Sequence, residues 1–375
     1  MQSPGTHSAA PRPPRSLRSR FEISAGVYTA RLLRAFFAAP LWRGDSLRSE
    51  SVRRILLVRP NHRIGNSILT TPAIDIFRRE FPGAELDVLV SSMGEMILRN
   101  FPVGRVHVLT RRFFWRPWRL WRLLREVRRR RYDLAVDCGF GSRTDALIVA
   151  LSGARLKIGI ENDVNGFLYN IRVRMPERDD VHKEAKWEIF ACGLGLEYRG
   201  ERMRLELSAA EREWAARWLE REAIREPPVA IFTGGRARKG KRWPIERFVE
   251  TARRLDRSGR RVIVFLGPEE AGLAPELLGA LPAAVRLVRE PDIRLAAALI
   301  ERCALFISCD SGPMHIACAL RVPVLAIFLK DNWKRWGPRP DRGRVLMGAD
   351  LSADRVVLEA IEMLSEATSG TDRRA

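Results

Sequence analysis

Lysine is scarce in this chain: only seven of its 66 basic residues are lysine and 59 are arginine. A net charge of +21 therefore rests almost wholly on planar guanidinium forks, which suit bidentate binding of phosphate and other anions. Cysteine is scarcer still. The five cysteines (138, 192, 303, 309 and 318) show no C-x-x-C spacing, which excludes a zinc ribbon or a dithiol redox site; they read as small core residues in a reducing compartment. No run approaches the roughly 18 apolar residues of a membrane span, and the arginine-rich start does not resemble a secretory signal, so a cytoplasmic chain is expected. Two glycine-rich fingerprints are also missing. Neither G-x-G-x-x-G nor a Walker A loop occurs, and no Asp-x-Asp pair stands at a strand end to hold a metal.

What is present is a length of 375 residues with 46% hydrophobic content, enough for two packed domains. Residues 1–20 are rich in Pro, Ser and Arg and are expected to be disordered. Phe21 to Trp42 carries Val27, Leu32, Phe36 and Leu41 at helical spacing, predicting a helix that packs on the body or lies on a membrane. From Arg53 onward, short runs rich in Val, Leu and Ile alternate with helical stretches. RRILLVR, ELDVLVS, VHVLT and YDLAVDC predict buried parallel strands, with helices over Thr71 to Arg79, Trp118 to Arg131 and Ser142 to Ser152 between them. After LKIGI and a helix from His182 to Gly195 the rhythm pauses, and Ser208-Ala-Ala-Glu211 reads as a capping box that opens a new helix. It resumes with VAIFTG, RVIVFLG, VRLV, ALFISCD and VPVLAIF. Two α/β domains of doubly wound type follow, with a boundary near 196–208 and an amphipathic helix, Ser352 to Ala367, after the second sheet.

Three segments carry chemistry. In the first, RPNHRIGNSILTTPAI, Gly65 allows close backbone approach at the carboxyl end of the first strand, where open α/β sheets bind ligands. In the second, TGGRARKGKRWP, Gly234 and Gly235 open the backbone and Lys239 and Lys241 bring ammonium groups to a helix N-terminus, an arrangement suited to phosphate oxygens. The third is ISCDSGPMHIACAL. There Asp310, Ser311 and Gly312 end a strand and open a helix whose first amides suit an anion, with His315 one turn in as either a site residue or a packed core histidine. Two such loops in one domain favour a nucleotide diphosphate ligand over nucleic acid.

Taken in order, these segments resemble glycosyltransferase family 9, the bacterial family that contains the lipopolysaccharide heptosyltransferases. Arg59, Gly65 and Thr70 to Ala73 match its first motif, Gly234-Gly235 and Lys241 to Pro244 its middle motif, Asp310 to Ala319 its late motif, and Arg335 to Pro338 its R-W-G-P. The resemblance implies a GT-B fold, two Rossmann-like domains facing each other across a cleft. Residues 1–52 would be an extension, 53–205 the acceptor-side domain, 206–350 the nucleotide-sugar domain, and 351–375 a terminal helix that crosses back to the first domain. It further implies an inverting, metal-independent and cofactor-free transfer to a lipopolysaccharide-type glycolipid. A nucleotide-diphosphate sugar, ADP-heptose above others, would be the donor. Lys241 would neutralise the diphosphate. Asp310, Ser311 and Gly312 would contact phosphate or sugar, supported by His315, and Glu269 or Glu270 would bond a ribose hydroxyl. Arg63, Gly65 and Thr71 would lie on the acceptor side.

One departure matters for the chemistry. Where the family has an Asp as its proposed general base, this chain has Asn66, and an amide takes no proton from a hydroxyl at neutral pH. Three readings stay open: His62 is the base, Asn66 orients the acceptor while the departing phosphate takes the proton, or the protein binds nucleotide sugar or glycolipid without turnover. A second departure is Leu329 to Trp333, where the family tends to have G-P-T-D-P, so the sugar need not be heptose. Finally, Arg111 to Arg131 interleaves ten arginines with Trp115, Trp118 and Trp121. That composition suits an anionic membrane surface at the inner membrane face, and no nucleic-acid module accompanies it.

Overall fold

A computed structural model describes residues 38–44, 47, 51–111, 115–176, 181–235 and 240–372, the last five by backbone alone. The expected disorder of residues 1–20 and most of the helix expected over Phe21 to Trp42 lie outside these. The described end of that stretch is not helical: the amides of Ala39 and Trp42 donate to the carbonyls of Phe167 and Asn170 on the first domain.

The first domain holds strands β1 (Arg54–Arg59), β2 (Glu85–Val90), β3 (Val106–Val108), β4 (Leu134–Asp137), β5 (Leu156–Ile160) and β6 (Ile171–Val173). Its helices are α1 (Ile64–Ile68), α2 (Thr71–Glu80), α3 (Ser92–Leu98), α4 (Pro117–Arg129), α5 (Arg143–Leu151) and α6 (Lys186–Gly193). The second holds α7 (Ala209–Arg221), β7 (Val229–Phe232), α8 (Ile245–Arg257), β8 (Val262–Phe265), α9 (Ala274–Ala280), β9 (Arg286–Val288), α10 (Ile293–Glu301), β10 (Leu305–Cys309), α11 (Gly312–Ala319), β11 (Val324–Phe328), α12 (Trp333–Trp336), β12 (Gly343–Met347) and α13 (Ala353–Asp372). Both sheets are six-stranded and parallel, ordered β3-β2-β1-β4-β5-β6 and β9-β8-β7-β10-β11-β12. The second repeats the first, so each has its switch point beside its first strand, between β1 and β4 and between β7 and β10. Continuous buried runs such as ILLV in β1 and LFISC in β10 reflect sheets covered on both faces.

Local chemistry sets the ends. Ser142 caps α5 by accepting from the Asp145 amide at 3.4 Å, and Ser208 with Glu211 forms the expected capping box of α7. The helix expected from His182 starts only at Lys186, because the His182 ring and the Lys183 amide are already bonded to the Gly337 and Arg335 carbonyls of the second domain. Strands β6 and β12, both sheet edges, and the short helices α1 and α3 were not anticipated.

The terminal helix differs from its expected course. Instead of crossing back to the first domain, α13 packs Ala353, Val356, Ala360 and Leu364 into the same core as Trp243, Phe248 and Leu255 of the second. Spacings of three and four residues put those side chains on one face, and Arg344 of β12 ties the helix down through Glu359, Glu362 and Glu366. Contact between domains comes from elsewhere: one apolar cluster runs from Ile55 and Phe77 through Leu205 and Leu207 of the linker to Ala297 and Met314.

Candidate active site

The carboxyl ends of the two sheets face one cleft of about 830 Å³. Its first-domain wall is the loop after β1. Asn61 organises that loop: its Oδ1 accepts from the Arg63 amide at 2.9 Å and from Asn66 Nδ2 at 3.0 Å, while its carbonyl accepts from Ser91 Oγ at 2.7 Å. His62, Arg63, Ile64, Gly65 and Asn66 all line the cleft, with Arg111 beside them. The Asn66 side chain thus spends an amide hydrogen on Asn61, leaving its carbonyl oxygen to accept. Partial burial, and then the charge of Arg111, hold the His62 ring below its ordinary pKa of 6.5, so at neutral pH it is uncharged and able to accept a proton. Behind the loop, Arg59 Nη1 bonds Asp145 Oδ2 at 3.1 Å, and Asp137 at the end of β4 accepts from the Gly139 amide and the Tyr169 hydroxyl. Burial, with Asp145 next to it, pushes the Asp137 carboxyl up.

The second-domain wall is built from the ends of β7, β8, β10 and β11. Asp310 follows β10, and its Oδ2 accepts from Lys241 Nζ and, at 3.1 Å, from Asn332 Nδ2. Three loops therefore converge on one carboxylate. Ser311 caps α11, accepting from the Met314 amide at 3.3 Å while its hydroxyl meets that of Ser308 at 2.8 Å. Glu270 is buried under the Gly234–Gly235 turn, where its Oε1 accepts from the Gly235 amide at 3.3 Å; burial raises its carboxyl and that amide pulls the other way. Glycine is needed at 235, since a Cβ there would stand 2.9 Å from the Lys241 carbonyl oxygen. Glu269 is exposed at the cleft's edge, lining it alongside Glu270.

The walls touch at the base of the cleft. A Cβ on Gly65 would lie 2.4 Å from Cδ2 of His315, and one on Gly312 would lie 2.9 Å from Ile64 Cβ. His315 is buried between the domains, edge-on to Trp336, and burial pushes its ring down to about 4 against the opposing pull of Asp310. It stays neutral at physiological pH and supports the Asp310 loop and the Gly65 contact together. The R-W-G-P segment is a clasp: its carbonyls at Arg335 and Gly337 accept from Lys183 and His182, and Lys183 Nζ sits 5.1 Å from the Trp336 ring centroid.

Most residues singled out from the sequence meet here: His62, Arg63, Gly65, Asn66, Gly235, Lys241, Glu269, Asp310, Ser311, Gly312 and His315 line the cleft. Two stand behind it. Gly234 packs against Phe232 and Glu270, and Thr71 is buried, donating to the Ile68 carbonyl at 2.8 Å and accepting from the Arg204 amide at 3.0 Å, so it fastens the interdomain linker to α2. Lys239 lies outside the described residues. Of the cysteines, Cys192 is exposed and the other four are buried. Asn61, Arg111 and Asn332 were missed as cleft residues: Arg111 was read only as part of the basic aromatic segment, and the role of Asn61 and Asn332, each within a segment already singled out, rests on a side-chain bond that spacing does not encode.

Comparison with known proteins agrees with this geometry. Residues 120–359 match the model of "Glycosyltransferase family 9 (heptosyltransferase)". Lipopolysaccharide heptosyltransferase 2 of Escherichia coli K12 is 23% identical over 331 residues, 82% of this chain and 86% of that protein. Lipopolysaccharide heptosyltransferase 3 of the same strain is 25% identical over 294 residues, 73% of this chain and 82% of that one. Among solved structures, a family 9 glycosyltransferase from Veillonella parvula superposes with a TM-score of 0.77 at 19% identity, covering 86% of this chain and all of that one. E. coli ADP-heptose heptosyltransferase II superposes at 0.69 with 20% identity, over 84% of this chain and 99% of that one. E. coli heptosyltransferase WaaC with ADP superposes at 0.66 with 21% identity, over 83% and 99% respectively. All three share the GT-B fold with this chain. With its four ordered motifs, its paired Rossmann-like domains and its match over most of the chain, this protein belongs to glycosyltransferase family 9 and is a glycosyltransferase.

Proposed function

We propose that the enzyme moves a heptose or similar sugar from an ADP-linked donor to a hydroxyl of a lipopolysaccharide core or related glycolipid, inverting the anomeric carbon. The observation that carries this reading is Lys241, paired with Asp310 on the second wall and opposite the His62–Asn66 loop on the first. In the proposed step an acceptor oxygen attacks C1 of the sugar from the face away from the diphosphate. The new C1–O bond forms as the old one breaks, its electron pair leaves with the diphosphate, and the acceptor proton passes to a neutral ring nitrogen of His62. Asn66, its amide hydrogen given to Asn61, turns a carbonyl oxygen to the acceptor hydroxyl and orients it. Lys241 leaves Asp310 for the diphosphate and stabilises the charge that develops there, a role worth about 100-fold or more in turnover. In this reading Glu269 or Glu270, both on the cleft wall, bonds a ribose hydroxyl, and structural relatives solved with ADP and with ADP-2-deoxy-2-fluoro heptose support an adenine nucleotide.

A thermal-shift screen of ADP-, GDP-, UDP- and dTDP-sugars tests the donor. A ligand at 100 times its Kd adds about 2.7 kcal/mol of stability, so ADP-heptose should raise the melting temperature and the others should not. Lys241→Ala should abolish that shift and lower turnover about 100-fold. Transfer should continue in EDTA, because the reading gives diphosphate neutralisation to Lys241 rather than to a metal ion. A selective shift with another nucleotide, or unchanged kinetics in Lys241→Ala, would overturn the assignment.

A further inference from the structure

Helix α4 divides its side chains between two opposed faces. Leu120, Leu123, Leu124 and Val127, at i, i+3, i+4 and i+7, are the inward set; Val127 is fully buried and Leu120 and Leu123 pack against the same core as Tyr132 and Val149. Trp118, Trp121, Arg122 and Arg125 have the same spacing two residues out of phase and point to solvent. Trp115 is 86% exposed, Trp118 55% and Trp121 61%, unusual for the largest apolar side chain. Around them Arg116, Arg119, Arg122, Arg125, Arg128 and Arg129 are exposed, and among the described residues none is paired with a carboxylate. Only Glu126 brings negative charge to this helix, and it faces Arg105 and His107 of the sheet edge. The Arg125 guanidinium lies 5.1 Å from the Trp121 ring centroid, so cation and indole share one patch.

We infer that this face of α4 is a docking surface for an anionic lipid bilayer. Indole rings prefer the headgroup layer, where an apolar body and a polar N–H are both accommodated, and unpaired guanidinium groups complement lipid phosphate. Its position suits the proposed transfer, although the inference does not depend on it. Arg111 lines the cleft and Trp115 follows four residues later, so its Cα lies within about 14 Å of Arg111 along the chain, and a bound bilayer would sit beside the mouth of the cleft.

Sedimentation of the full-length chain with vesicles reads this directly. Binding is expected to phosphatidylcholine vesicles containing phosphatidylglycerol, not to phosphatidylcholine alone, and to weaken as salt rises. Each basic residue near such a surface is worth roughly 1 kcal/mol, about 5-fold in affinity, so Arg119→Glu/Arg122→Glu/Arg125→Glu should weaken binding about 100-fold or more. A second variant, Trp115→Ala/Trp118→Ala/Trp121→Ala, should lose quenching of tryptophan emission by brominated lipid and bind more weakly. Both sets are exposed, so each variant should keep the wild-type melting temperature and its nucleotide-sugar shift, which separates this surface from the donor site. Undiminished vesicle binding in both variants would place the lipid contact elsewhere and overturn the inference. So would the absence of anionic-vesicle binding, or a random single-stranded oligonucleotide that displaces the protein from vesicles and binds it more tightly.

Discussion

At the scale of the residue, the proposed chemistry turns on one loop in which an amide replaces the expected carboxylate. Asn66 cannot take the proton, and its partner Asn61 fixes which end of the amide faces the cleft. The neighbouring histidine has what Asn66 lacks. Partial burial and Arg111 hold His62 below its ordinary pKa of 6.5, so its neutral form prevails at pH 7 and is lost only as pH falls through that lowered value. Turnover should therefore hold at and above neutral pH and decline on the acid side as pH falls through that lowered value. His62→Gln should lower kcat by about 100-fold or more and remove that acid limb, with donor affinity little changed. If the variant keeps wild-type turnover and the same limb, the proton goes to the departing phosphate instead. His315 is the opposite case: a motif histidine, equally legible in the sequence, whose burial between domains makes it a positioning residue for the loops around it.

At the scale of the element, strand-to-helix turns carry the site because each joins a buried strand to a helix N-terminus at the cleft. Continuous apolar runs made the interior strands legible, since both faces of those sheets are covered. Edge strands β6 and β12 were not legible: IRV and GRVLM are short, interrupted by arginine and half-exposed, so they differ little from loop sequence. Helix α1 was hidden for another reason. Its five residues form a single turn held against α11, and nothing in their own pattern announces the partner. That contact yields a test. A methyl group on Gly65 would press on the buried His315 ring, so Gly65→Ala should cost about 1–3 kcal/mol by forcing α1 and α11 apart. The melting temperature should fall and the donor KM rise together. An unchanged melting temperature would mean the His315 ring yields without cost.

At the scale of the whole molecule, the two domains are held by a polar bolt through an apolar interface. Arg294 of α10 is only 1% exposed; it bonds Glu211 at 2.5 Å and reaches the Met96 carbonyl of the first domain at 3.0 Å and the Glu206 carbonyl of the linker at 2.5 Å. Burial would raise the Glu211 carboxyl, but Arg294 and the Ser208 amide outweigh it and hold it at about 2. A carboxyl depressed in the folded state stabilises the fold above its unfolded pKa near 4.5, and that contribution fades as pH falls toward 2. Arg294→Met leaves a carboxylate without its partner and should cost about 3 kcal/mol at neutral pH, splitting a single calorimetric transition into two as the domains uncouple. A single transition at the wild-type temperature would show that the apolar cluster alone joins them. Hydrophobic periodicity, capping residues and turn chemistry are local, so the doubly wound sheets, the loops that line the cleft and the family were legible in the sequence alone. Which residues meet was decided by tertiary structure: the terminal helix staying on its own domain, Thr71 fastening the linker, Asn61 aiming Asn66, and Lys241 meeting Asp310. Asn61 and Asn66 meet within one loop, five residues apart; the other contacts join positions far apart in the chain, and only packing brings them within a bond's reach.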